Sequence, residues 1–148
     1  MKKLFAIVFA ILCVLVFFGC EKTTDNVELV PNRITFMGYI QEVQNGKITI
    51  DAIEWVTVPG ERADELGITN ADAPNGFTIY NAESAVDEYN IADSCEIHIL
   101  DWYNNYEPKQ VDLAGFNDIL EQRSGLPIPY TVTIENGSVV SIEEHYIP

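Results

Sequence analysis

The chain opens on 15 consecutive apolar residues, Leu4 to Phe18, and changes character at Glu21, after which apolar positions recur at strand and helix spacings. Alternation with a period of two predicts strands, because successive side chains leave a strand on opposite faces. The first such pattern is a hairpin: Arg33 to Val43, an Asn45-Gly46 turn, then Lys47 to Val56. Asn-Gly fits a two-residue hairpin turn because both positions need positive φ. Ile34, Phe36 and Ile40 share a face with Gly38, and a glycine inside a strand marks a bend or bulge. On the second arm Ile48, Ile50 and Ala52 fall on one face and Ile53 and Trp55 on the other. That switch predicts a bulge near Asp51 or a strand covered on both sides.

Pro59 to Gly67 reads as one or two turns of helix, with early acidic residues and a glycine stop. Turn-rich sequence follows from Thr69 to Gly76, then strands at Phe77 to Asn81 and Ser94 to Leu100, joined by a loose extended connection. Asp101 to Pro108 is too rich in Asn and Pro to be regular. Asp112 then caps an amphipathic helix whose stripe is Leu113, Phe116, Ile119 and Leu120, closing near Gly125. A second Asn-Gly hairpin ends the chain: Tyr130 to Ile134, Asn136-Gly137, Val139 to Ile147. The expected fold is mainly β with one or two short helices and about six strands. This order of elements suits a small OB-like Greek-key barrel; an open antiparallel sheet with a packed helix is the other arrangement it allows.

The apolar run follows Lys2 and Lys3 and is shorter than the roughly 20 residues a spanning helix needs, so it reads as a signal peptide. Phe17-Phe18-Gly19-Cys20 resembles the lipobox of bacterial lipoproteins, with Phe17 and Phe18 standing where the family usually has Leu and a smaller residue. The resemblance implies cleavage before Cys20, lipid on Cys20, and anchoring at the extracytoplasmic face of the cell membrane. The chain then divides into a signal peptide at 1–19, a polar tether at 20–31 and a single β-rich domain at 32–148.

Charge narrows the partners. Two of the 8 basic residues leave with the signal and all 23 acidic ones stay, so 6 against 23 gives the remaining chain a net charge of −17. Such a surface repels phosphate backbones and anionic lipid, which excludes nucleic acid as an expected partner and leaves the N-terminal lipid as the membrane contact. With Cys13 in the signal and Cys20 lipidated, Cys95 is the single thiol of the domain, and its alternation with Ile97 and Ile99 predicts a buried one. One Cys with His98 and His145 makes no zinc spacing. Asp51, Glu54 and Asp72 are the oxygen ligands calcium would require, but Pro74 breaks the loop pattern and an acidic solvated face is the simpler reading. No cofactor is expected.

Gly38-Tyr39-Ile40, Asp51, Glu54-Trp55, Pro74-Asn75-Gly76-Phe77 and Asn81 look like a pattern in small secreted proteins of Gram-positive bacteria without an assigned activity. The resemblance implies a shared fold and no biochemical role. The candidate binding residues are Trp102, Tyr103, Asn104, Asn105 and Tyr106, where flat rings alternate with amides as sugar rings require. Packing against the helix is the competing explanation of those rings. No nucleophile or metalloprotease motif is present, so no catalytic residue is assigned. The expected function is an extracytoplasmic binding lipoprotein for a cell-envelope glycan or secreted protein. A small carboxylate-dependent hydrolase and an inhibitor or accessory subunit of a secreted enzyme are the alternatives.

Overall fold

Both Asn-Gly pairs make the turns expected of them, with φ of 54° and 73° at Asn45 and Gly46 and 50° and 83° at Asn136 and Gly137. The computed structural model describes residues 32–147; the apolar run, Cys20 and the whole tether lie outside them. The elements are β1 (Arg33–Gln44), β2 (Lys47–Thr57), α1 (Glu61–Leu66), β3 (Phe77–Tyr80), β4 (Val86–Asp101), β5 (Glu107–Val111), α2 (Leu113–Gln122), β6 (Pro129–Glu135) and β7 (Ser138–Glu144). Among the described residues no helix is long and apolar enough to cross a membrane.

Five strands close a ring. β1 pairs antiparallel with β2 and with β6, β6 with β7, β7 runs parallel to β4, and β4 pairs back onto β2. This closure is the Greek-key barrel of the OB type and excludes the open sheet. β3 and β5 extend the ring as wings, on β2 and β4 respectively.

One strand can serve two neighbours because β1 bends: its first half pairs with β6 from Arg33 to Tyr39, its second half with β2 from Met37 to Gln44. Gly38 sits at the overlap, where a Cβ would meet Ile50 Cγ2 at 2.3 Å and the Asp51 carbonyl oxygen at 3.1 Å. Only a residue without a side chain lets the two backbones approach this closely. The bulge expected near Asp51 falls on the partner strand instead. Ile40 faces Ile50 and Glu42 faces Thr49, so Gln41 is the inserted residue. The face switch in β2 has another origin: β2 pairs with β4 up to Asp51 and with β3 from Glu54 onward. Its early residues face the barrel interior and its late ones a separate small core.

Ile48, Ile50, Ile97, Ile99, Tyr130, Val132, Ile134, Val139 and Ile142 fill the barrel, and Phe116 of α2 plugs it with no exposed surface. Phe116 meets Tyr130 edge-on, ring centroids 5.7 Å apart. α2 enters this position through its cap, the Gly115 amide donating to Asp112 Oδ1 at 2.8 Å. Val56, Val58, Ala63 and Ala73 form the second core, beneath α1.

The sequence pattern undercounts the strands. β4 starts at Val86, so the expected loose connection is strand, and β5 begins at Glu107, inside the segment read as irregular. Pro108 and Lys109 obscure β5 because they are edge residues, tolerated where one side of the strand has no partner.

Candidate functional site

The aromatic segment is the tip of the β4–β5 hairpin. The Asp101 carbonyl accepts from the Asn104 and Tyr106 amides at 3.0 and 2.9 Å, and Asp101 Oδ1 accepts from the Tyr103 amide at 3.1 Å. Asn105 and Tyr106 take left-handed φ of 52° and 58°. Asn tolerates this region, whereas Tyr does so at a cost of about 1–3 kcal/mol, which the surrounding hydrogen bonds must offset. The result is a fixed ring at Tyr106, tilted against Tyr146 at 4.9 Å.

Trp102 is fixed by different means. Its Nε1–H donates to Glu144 Oε1 at 2.8 Å, and the Arg123 guanidinium lies over the ring, Cζ 4.0 Å from the centroid. Glu144 Oε2 also accepts from Arg123 Nη1 at 2.6 Å and from the Leu100 amide at 2.8 Å, while Arg123 Nη2 donates to the Leu100 carbonyl at 3.0 Å. The Glu144 side chain is 2% exposed and that of Arg123 14%. A buried ion pair survives desolvation only when its remaining hydrogen-bonding capacity is used, and here three donors meet one carboxylate. Arg123 is the C-cap of α2, its backbone amide donating to the Ile119 and Glu121 carbonyls. Tyr130 completes the cluster from inside the barrel. Burial pushes its phenol up to about 12, with Glu144 adding to the effect and Arg123 opposing it. Its hydroxyl is buried beside the Arg123 guanidinium.

In front of this framework lies a cleft of about 210 Å³ lined by Leu100, Trp102, Tyr106, Pro129 and Tyr146. Around it large apolar side chains are exposed: Tyr103 entirely, and Tyr106, Leu126, Tyr146 and Ile147 by two-fifths or more. His145, also in the cleft wall, packs edge-on against Trp55 at 4.8 Å, and Trp55 stacks on Phe77 at 4.1 Å. An aromatic belt therefore runs from the β3 wing to the β4–β5 tip.

Of the five residues singled out in sequence, Trp102 and Tyr106 line the cleft and Tyr103 projects beside it. Asn104 and Asn105 are not among the lining residues; they build the turn. Arg123, Glu144 and Tyr146 escaped sequence reading. Glu144 lies 42 positions from Trp102 and 21 from Arg123, and no local spacing links them. Cys20 is outside the described residues.

The acidic residues weighed for calcium do not gather at one site, and each has a hydrogen-bond partner of its own, although Asp51 Oδ1 is buried without one. Asp51 Oδ2 accepts from Asn81, Glu54 is bound by Arg62, and Asp72 accepts from Thr69. Those hydrogen bonds hold Asp72 and Glu54 below the usual carboxylate range. Several residues of the secreted-protein pattern have structural work here: Gly38 abuts Asp51, Asn81 bonds it, Trp55 stacks on Phe77, and Gly76 accepts from the Val58 amide. Compared with protein families, curated proteins and solved structures, the chain has no significant match in any of the three. Fold and site together define a Greek-key barrel whose one elaborated end carries an aromatic cleft over a buried ion pair.

Proposed function

We propose that this chain is a bacterial lipoprotein, held at the extracytoplasmic face of the membrane by lipid on Cys20, whose barrel presents the aromatic patch to a protein partner outside the cell. The observation that carries the reading is the combination at the β4–β5 tip. Exposed Trp and Tyr side chains stand together on a framework whose charges are satisfied internally. Aromatic anchors around a small pocket are the usual energetic centre of a protein interface, and rigid ones lose little entropy on binding. Contiguous exposed apolar surface on one end of an otherwise acidic domain is a feature of interaction sites.

The hydrolase alternative needs two free carboxyl groups facing each other across a cleft. Glu144 is the one carboxylate in the cleft wall, and both its oxygens are engaged. Binding is therefore the better account. Inhibition of a secreted enzyme, or service as its accessory subunit, is a form of the same reading. A net charge of −17 beyond residue 19 argues against nucleic acid.

The test uses the full chain in its native envelope. Wild-type protein should partition into detergent and Cys20→Ala should not. A photo-crosslinking residue at Tyr103, which is fully exposed, should give a discrete protein adduct, while one at Val86, exposed on β4 away from the patch, should give none. Equal labelling from both positions, or none from either, counts against the interface; aqueous partitioning of wild-type protein counts against the anchor.

A further inference from the structure

A second concavity lies on the other side of the Pro127–Ile128 segment, which borders both it and the aromatic cleft. It is a cavity of about 360 Å³ between β1 and the end of α2, with polar groups from Tyr39, Gln41, Arg123 and Ser124. Ile40, Leu126 and Pro127 supply apolar wall. A groove, also about 360 Å³, continues from it along α2, sharing Gln41, Leu120 and Ser124 and adding Gln44, Asn117 and Glu121.

Four features bear on its use. Gln41 is the bulged residue of β1, without a partner in the β2 ladder, so this side chain is placed by an insertion and not by strand alternation. Tyr130, only 1% exposed, closes the floor of the cavity. The Arg123 charge is answered by Glu144, so the cavity carries no uncompensated cation to recruit an anion. Amides and hydroxyls, which both donate and accept hydrogen bonds, and the accepting carboxylates of Glu42 and Glu121 supply the rest of the polar lining.

We infer that this groove binds a neutral oligosaccharide, one sugar ring in the cavity against Tyr39 and Pro127 and the next along α2 beside Gln44 and Asn117. Sugar hydroxyls also donate and accept, and sugar rings have apolar faces, so a lining of amides, hydroxyls, carboxylates and apolar wall suits them. The acidic surface would repel anionic polymers, which favours neutral glycans over them. The aromatic cleft is the poorer glycan site, because its carboxylate and guanidinium are already bound to the protein. This inference goes beyond the proposed interface and stands apart from it.

Calorimetric titration of the detergent-solubilised full chain with three neutral trisaccharides, maltotriose, cellotriose and tri-N-acetylchitotriose, tests it. At least one should bind, and Gln41→Ala and Asn117→Ala should each weaken it by about 3- to 10-fold, the worth of one hydrogen bond. Tyr106→Ala, in the other cleft, should leave it unchanged. No binding of any of the three at about 10 mM overturns the inference, since even weak sites register there. So does binding that ignores Gln41→Ala and Asn117→Ala in variants whose melting matches wild type.

Discussion

Replacing Glu144 with Gln is the sharpest perturbation of the framework behind the aromatic cleft. The substitution keeps shape and one oxygen but removes the charge and turns the other oxygen into a donor. Three donors converge on this carboxylate, from Leu100, Trp102 and Arg123. The new amide nitrogen confronts at least one of them, and Arg123, 14% exposed, loses its counter-ion. Removing one partner of a buried pair costs about 3–5 kcal/mol. Because Gln retains an acceptor, the lower end applies, about 3 kcal/mol. Urea unfolding of the chain lacking residues 1–20 reads this as a lowered midpoint at unchanged slope. Glu54→Gln is the control. It breaks the Glu54–Arg62 pair at an exposed site, and its midpoint should stay where it is. Glu144→Gln should also loosen Trp102 and shift its fluorescence to the red in the native state. A midpoint no lower than that of the control would refute the claim that a buried, fully engaged ion pair fixes the tryptophan.

Tyr130 ties stability to alkaline pH: its phenol lies above the ordinary 10.0, at about 12, so the fold favours the protonated form. Its contribution is complete below pH 10 and is lost as pH rises from 10 toward about 12; Tyr130→Phe should make the fall of unfolding free energy across that window less steep. Burial, helped by Glu96, pushes the Cys95 thiol up to about 11, so its alkylation by iodoacetamide should be slow at pH 8 and still accelerating at pH 10, and fast at both in urea. Gly38→Ala should destabilise by about 1–3 kcal/mol in the same urea assay, because its Cβ overlaps Ile50 and the β2 backbone.

Local chemistry made much of this fold readable. Asn-Gly turns, the Asp112 cap and the Phe116 stripe act over a few residues and were visible as such. Gly38 was legible as a bend, though what it permits, the sharing of β1 between β2 and β6, needs the closed ring to be seen. β5 was hidden by edge residues that need no strand propensity, and β4 by Asp87, Glu88 and Asp93, which face outward. The site divided in the same way. Trp102 and Tyr106 announce themselves by ring density in one short segment. Arg123 and Glu144, which fix Trp102, come from the end of α2 and the end of β7 and meet only once β4 and β7 run parallel. The groove along α2 gave no signal at all, because Gln41 owes its position to a bulge.

The claim that the β4–β5 tip is an interface is tested most directly at Tyr106, whose ring touches Tyr146 at its half-exposed edge and supports nothing in the core. The measurement is the affinity of Tyr106→Ala for the protein captured through Tyr103, taken beside its thermal unfolding. Binding should weaken by about 1–3 kcal/mol, as for an interface aromatic, while unfolding stays within about 1 kcal/mol of wild type. Undiminished affinity in a variant of wild-type stability would contradict it.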